Sequence, residues 1–127
     1  MTPSKRWDTE AEWSEQNVGM EKLETVEQFE RVKKETNRFL FVKHSLTCPI
    51  SRAAFGECEK FAADHPELAV YCLYVQEARP LSNYIAETTG VKHESLQALL
   101  FENGKVVWHA SHWAITYDAL RTNIATA

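Results

Sequence analysis

The sequence predicts a single α/β domain built on a four-stranded mixed sheet with helices on both faces. Two nearly continuous apolar runs, at residues 39–44 and 70–75, are typical of parallel strands covered on both faces. The segment between them has the length and periodicity of a crossover helix. A later Asn-Gly pair between two apolar runs predicts a β-hairpin.

The composition limits the class of protein. The chain has 127 residues, the size of one domain, and its 44% hydrophobic and 25% charged residues are ordinary for a folded protein. The formal charge of -4 argues against a phosphate-binding surface, so we expect no nucleic-acid partner. Every apolar stretch falls short of the about 20 residues that cross a bilayer, so we expect no membrane partner.

The N-terminal segment differs from the rest of the chain. Residues 1–24 are rich in glutamate and show only a weak helical period, which predicts an extension ahead of a domain at residues 25–127. The early cations are not followed by an apolar segment, so we expect no secretory signal. Three cysteines at irregular spacing do not form a disulfide framework, and a reducing cytoplasm is the expected location.

The first helix and strand have clear signals. Thr25 and Gln28 have the spacing of a capping box, which predicts a helix over residues 26–36. The apolar run at 39–44 follows as a central strand.

The next helix and strand complete a βαβ unit. Pro49 suits the first turn of a helix, and an apolar stripe continues to about residue 65, where Pro66 ends it. The run at 70–75 is the second strand, and a crossover of this length makes the two strands parallel.

The second half of the domain changes pattern. Pro80 opens a helix that ends at Gly90. Strands at 98–101 and 105–109 form the hairpin, and a last helix begins near residue 116. This is the order of elements in the thioredoxin-like fold.

Cys48 falls between the first strand and the following helix, at a place where a cysteine can be reactive. Unpaired N–H groups and the dipole place about half a positive charge at a helix start, which stabilises a thiolate there. Buried free cysteines are also common as small apolar side chains. We favour a nucleophile, because a strand end, a following proline and a polar Ser51 coincide.

Ser51 stands where a Cys-X-X-Cys motif would place its second thiol. A serine hydroxyl can hydrogen-bond a thiolate, but it does not resolve a mixed disulfide. A polar residue in the first turn of a helix is an equally good explanation. With Thr47 and Pro49, Ser51 forms the predicted supporting set of a one-cysteine motif.

The segment His-Ser-Leu-Thr-Cys-Pro-Ile-Ser at 44–51 resembles the active-site segment of the monothiol bacilliredoxins, the YtxJ-type bacillithiol-system proteins. The blocks at 75–83, 91–95 and 111–112 are similar to the same family, so the resemblance covers residues 25–127.

The resemblance implies a thiol–disulfide oxidoreductase that removes bacillithiol from S-bacillithiolated proteins. Cys48 would attack the mixed disulfide and itself become bacillithiolated, and a second thiol would regenerate it. The implied partners are S-thiolated client proteins and bacillithiol as co-substrate, with no bound cofactor, in a cytoplasmic stress response.

One position departs from the family pattern. Thioredoxin-like proteins usually carry a cis-proline before the hairpin, and here the position is Leu96, after Glu94 and Ser95. A non-proline cis bond costs about 2.5–4 kcal/mol, so the bond before Leu96 is trans or is held cis by its surroundings. In the family the backbone at Ser95 would align the partner's sulfur, so these three residues form the predicted substrate loop.

The other cysteines are predicted to belong to the core. Cys58 lies on the apolar stripe of its helix, about 15 Å along it from Cys48. Cys72 lies inside a buried strand.

Several cations could influence the thiol. His44 and His93 could tune its charge, and Lys43 and Lys92 could attract an anionic thiol. The alternative for each of the four is a solvated side chain without a role at the site. The histidines and cysteines lack the spacing of a metal site, so we expect none.

Other functions stay open. A glutaredoxin-like thioltransferase would use another small thiol, and a stress-associated binding module would keep the fold without exchange, which the change at Leu96 favours. A thiol peroxidase is disfavoured, because no recognised peroxide-positioning Arg/Thr set accompanies Cys48.

Overall fold

The computed structural model describes residues 20–125 and confirms the α/β fold class. The strands are β1 (Glu21–Lys22), β2 (Arg38–His44), β3 (Ala69–Tyr74), β4 (Gln97–Glu102) and β5 (Lys105–Ser111). The helices are α1 (Val26–Glu35), α2 (Pro49–Asp64), α3 (Arg79–Thr89) and α4 (Tyr117–Leu120). One mixed sheet has the order β1-β3-β2-β4-β5, in which β1, β3 and β2 are parallel and β4 and β5 are antiparallel additions.

The prediction of four strands was wrong, because β1 adds a fifth at the edge of the sheet. This strand lies inside residues 1–24, which were predicted to be an extension. Met20 and Leu23, on either side of β1, are only 4% and 3% exposed. Two charged residues carry no apolar strand pattern, and an edge strand tolerates such charge. The folded unit therefore includes Met20, and the rest of the predicted extension, residues 1–19, lies outside the described residues.

Helix α1 begins as its capping box predicts. The backbone N–H of Gln28 donates to Thr25 Oγ1, and the Gln28 side chain accepts from the backbone N–H of Thr25, both at 3.1 Å. The apolar face of α1 is centred on Phe29, which is fully buried and meets Phe41 and Phe101 edge-on at 5.5 and 5.6 Å. These contacts fix α1 on one face of the sheet.

The sheet separates two apolar cores, and β2 contributes to both. Leu40 and Val42 belong to the core under α2 and the C-terminal helical segment, whereas Phe39 and Phe41 belong to the core under α1 and α3. Side chains alternate between the faces along a strand. Lys43 and His44, the last two residues of β2, therefore direct their side chains to opposite faces of the sheet. Both lie at the end of the strand that leads to Cys48.

The hairpin follows its sequence signal. Asn103 and Gly104 have φ values of 54° and 84°, the left-handed pair that a tight hairpin turn requires. A register shift opposite Leu100 and Phe101 inserts an extra residue, Val107, into the edge strand β5.

The C-terminal segment is helical but less regular than predicted. Thr116 caps α4 by accepting from the backbone N–H of Ala119 at 3.0 Å, and a π-helical turn (Arg121–Ala125) then continues the chain. Leu120 and Ile124 are buried in the core under α2, which fixes this segment on the sheet. In the part of the chain that the structure describes, no helix has the length and apolar character needed to span a membrane.

Candidate functional site

Cys48 is the N-cap residue of α2, with extended φ and ψ of -104° and 119°. Its carbonyl accepts the first helical hydrogen bond, from the Arg52 N–H at 3.1 Å, and Pro49 occupies the first helical position, where a missing N–H costs nothing. The half-buried thiol makes no capping hydrogen bond to the helix. The sulfur is therefore left available beside the unpaired N–H groups of the first turn.

The loop before Cys48 is held by Gln76, which lies in the connection between β3 and α3. Gln76 accepts from the Leu46 N–H at 3.0 Å through Oε1, and its Nε2 donates to Ser45 Oγ at 3.0 Å and to Thr47 Oγ1 at 3.3 Å. Gln76 was not among the predicted site residues. A polar residue directly after a buried parallel strand, at the same sheet edge as the cysteine, was the available signal.

Ser51 is fully buried and faces the strand rather than the thiol. Its Oγ accepts from the Ser45 N–H at 2.9 Å and lies 2.9 Å from His44 Nδ1. Within residues 20–125, no hydrogen bond joins Ser51 to the Cys48 sulfur. Ser51 therefore ties the start of α2 to the end of β2, which differs from the predicted option of a direct bond to the thiolate.

His44 is buried, so solvation does not explain it. Its ring stacks on Phe55 with centroids 4.2 Å apart and meets Tyr74 edge-on at 5.5 Å. Burial lowers the pKa of His44, and the nearby positive charge of Arg52 lowers it further. The imidazole is therefore neutral at pH 7, and it supports the base of the thiol loop.

The other two thiols are enclosed by the core, where the sequence placed them. Cys58 and Cys72 are 0% and 1% exposed, in the core under α2. Burial raises the pKa of both thiols to about 12, with neighbouring acidic groups adding to the rise at Cys58. Neither offers a usable thiolate at neutral pH.

The predicted substrate loop has a trans backbone. The described residues contain no cis peptide bond, so the bond before Leu96 is trans. Leu96 is fully buried in the core under α2, and its carbonyl accepts from the His112 N–H at 3.2 Å. Glu94 and Ser95 are half-buried, and a Glu94 oxygen lies 3.9 Å from His112 Nε2.

A groove of about 320 Å³ runs beside the first turns of α2. Ile50 and Ala53 line one wall, and His112 and Trp113 line the other. Trp113 is 75% exposed, which is unusual for so large an apolar side chain. The groove therefore offers an apolar surface next to the residue that follows Cys48 and Pro49.

The two lysines that could attract an anionic thiol, Lys43 and Lys92, lie in different environments. Lys92 is exposed, but Lys43 is fully buried and cannot attract a solvent-borne anion directly. Among residues 20–125, no three His, Cys, Asp or Glu side chains form a group that could hold a metal ion.

Comparison with known proteins identifies the family. The family model described as monothiol bacilliredoxin BrxC matches residues 21–120. A solved structure whose description gives a thioredoxin fold and a proposed oxidoreductase activity is 43% identical, with a TM-score of 0.77. That match covers 81% of this chain and 91% of the other.

Two thioredoxins show the same fold at low identity. Mitochondrial thioredoxin 3 from Saccharomyces cerevisiae is 14% identical with a TM-score of 0.70, and the match covers 87% of this chain and 98% of that one. The thioredoxin of Fasciola hepatica is 18% identical with a TM-score of 0.70, covering 84% and 98%. The predicted resemblance is confirmed, and the chain belongs to the monothiol bacilliredoxin family, as a thiol oxidoreductase of the thioredoxin fold.

Proposed function

We propose that the protein removes bacillithiol from S-bacillithiolated proteins, with Cys48 as the nucleophile. The observation that carries the proposal is the contrast among the three thiols. Cys48 is half-buried at a helix start, whereas Cys58 and Cys72 are enclosed by the core. One accessible thiol without a partner thiol favours a one-cysteine exchange.

In the proposed first step, the Cys48 thiolate attacks the bacillithiol sulfur of the mixed disulfide. The client–bacillithiol S–S bond breaks as the Cys48–bacillithiol S–S bond forms. The client sulfur leaves with the electron pair and takes a proton from water. One disulfide replaces another, so the step needs no external oxidant or reductant.

Regeneration requires a second small thiol. Its thiolate attacks the Cys48–bacillithiol disulfide, releasing a small-molecule disulfide and restoring the Cys48 thiolate. Ser51 cannot take this role, because it is a hydroxyl and its oxygen is engaged by His44 and Ser45. The proposed co-substrate is bacillithiol, in a cytoplasm that keeps it reduced.

The groove beside α2 supports docking of a protein client. An extended client segment that carries the mixed disulfide can place an apolar side chain against Trp113 while its sulfur approaches Cys48. We propose that Glu94 and Ser95 contact the other side of the same segment.

Intact mass spectrometry tests the proposed function. The protein is incubated with one peptide that carries either bacillithiol or glutathione on the same cysteine. We expect transfer of bacillithiol to Cys48, faster than transfer of glutathione, and no adduct in Cys48→Ala. Cys58→Ala is the matched control and should behave like the parent protein, because Cys58 is buried.

The alternatives predict other outcomes. Equal transfer from both peptides would contradict a bacillithiol preference and leave a glutaredoxin-like thioltransferase. The absence of any adduct would contradict exchange and favour a binding module, which the replacement of the loop proline by Leu96 also favours.

A further inference from the structure

A buried ammonium group lies behind the substrate loop. Lys43, the second-last residue of β2, is 0% exposed, on the face of the sheet that α1 and α3 cover. Its Nζ donates to the Ser82 carbonyl at 3.1 Å and lies 3.2 Å from His93 Nδ1. Among the described residues, no carboxylate lies within 4 Å of this Nζ. An ammonium buried without a carboxylate is costly, so packing alone does not explain a lysine at this position.

Lys43 determines the protonation of His93. A charged lysine only donates hydrogen bonds, so the Nδ1 atom that it meets must be the acceptor. Ser82 Oγ lies 3.0 Å from the same nitrogen. Burial lowers the pKa of His93, and Lys43 and Arg79 lower it further, while Glu94 opposes them. His93 is therefore neutral at pH 7 and carries its proton on Nε2.

The contact links the interior to the loop at residues 91–96. Gln97, the first residue of β4, pairs with Lys43 across the sheet, so this loop and the loop that leads to Cys48 meet at one sheet edge. Gln97 is 2% exposed, and its Nε2 donates to the Lys92 carbonyl at 2.9 Å. The loop is thus anchored at Lys92, at His93 and, through the Leu96 carbonyl, at its end.

We propose that Lys43, acting through His93, is a positioning residue that holds the 91–96 loop in the conformation that presents a mixed disulfide to Cys48. The trans Leu96 removes the rigidity that a cis-proline would give, and the buried Lys43–His93 contact supplies it from inside the domain. The inference rests on the proposed exchange at Cys48 and assigns it a second group of residues. Neither Lys43 nor His93 is required to touch the reacting sulfurs.

Steady-state exchange with the bacillithiolated peptide tests the proposal. We expect His93→Leu and Lys43→Met to raise KM on the order of tenfold with little change in kcat, because the loop no longer holds the client in register. His93→Asn should recover most of the affinity, since its side-chain oxygen can accept from Lys43 where Nδ1 does. The rate of Cys48 alkylation by iodoacetamide should be the same in all four proteins.

Three results would overturn the proposal: an unchanged KM in both variants, an equal loss in His93→Asn and His93→Leu, or a parallel fall in alkylation. The last would mean that the cluster acts on the thiol.

If the parent protein exchanges no bacillithiol, the proposed function fails separately, and the same variants are measured with a chromogenic peptide mixed disulfide. If neither substrate reacts, amide hydrogen exchange decides. Faster exchange at residues 93–95 in Lys43→Met supports the positioning role, and unchanged exchange contradicts it.

Discussion

Replacement of Lys43 by methionine is expected to stabilise the protein at pH 7 by about 2 kcal/mol. Burial lowers the pKa of Lys43 from its ordinary value of 10.5 to about 8. At about 1.4 kcal/mol for each tenfold change, this difference corresponds to a cost of about 3 kcal/mol for keeping the ammonium charged in the fold. The two lost hydrogen bonds offset part of the gain. Ser82 Oγ lies 3.0 Å from His93 Nδ1 and can still donate to it, so the variant leaves no bare acceptor, although the loop loses the charged donor that Lys43 supplies.

The stabilisation expected for Lys43→Met should depend on pH. A lysine with a lowered pKa binds fewer protons in the folded chain than in the unfolded chain between pH 8 and 10.5. Its cost is therefore fully present below pH 8 and disappears as the pH rises to 10.5. The charged groups near the Lys43–His93 contact are Arg79 and Glu94, which shift the pKa of His93. The residues opposite Lys43 in the adjacent strands, Leu73 and Gln97, are uncharged.

Urea unfolding of Lys43→Met and the parent protein at several pH values measures this dependence. The difference in unfolding free energy should be largest near pH 7 and should shrink towards pH 10.5. Lys105→Met, which changes an exposed lysine of β5, is the matched control and should stay within about 0.5 kcal/mol of the parent. A destabilised Lys43→Met would show that the lysine serves packing, which contradicts a buried charge kept at a cost in stability.

Cys48 is expected to be alkylated at least about a thousand times faster than Cys58 or Cys72 in the folded protein. With a pKa of about 12, Cys58 and Cys72 are ionised to roughly one part in ten thousand at pH 8. An ordinary thiol is ionised to roughly a quarter at that pH. The core also excludes the reagent from both sulfurs, so their alkylation requires the fold to open.

Iodoacetamide labelling at pH 8, followed by intact mass and peptide mapping, tests the separation. The folded protein should acquire one adduct, on Cys48, and two more only after a much longer time. In concentrated guanidinium chloride, all three cysteines should react at similar rates, which controls for intrinsic reactivity. A second adduct that forms in the folded protein at a rate close to the first would contradict the enclosed core.

Much of the fold could be predicted because its signals are local. The capping box at Thr25 and Gln28 and the turn at Asn103 and Gly104 are each encoded within four residues, and the structure contains both. The two-residue strand β1 has no such signal. Its pairing with β3 depends on residues about 50 positions away, which periodicity does not detect.

The candidate site could be predicted only in part, for a similar reason. Position in the chain placed Cys48 at the start of a helix, as observed. The contact between His44 and Ser51 and the burial of Lys43 depend on which face of β2 the side chains of His44 and Lys43 leave, and on what packs there. A continuous apolar run marks β2 as a buried strand, but it does not show that the strand ends in two buried polar residues that serve opposite faces.

Exchange by a single thiol is measured most directly in a protein in which Cys48 is the only cysteine. Cys58→Ala and Cys72→Ala are combined, folding is checked by circular dichroism, and removal of bacillithiol from the peptide is followed with free bacillithiol as the reductant. We expect repeated turnover at a rate close to that of the parent protein, with a bacillithiol adduct on Cys48 as the trapped intermediate. A folded variant that stops after one turnover, or a parent protein in which a disulfide joins Cys48 to Cys58 or Cys72, would contradict exchange by a single thiol.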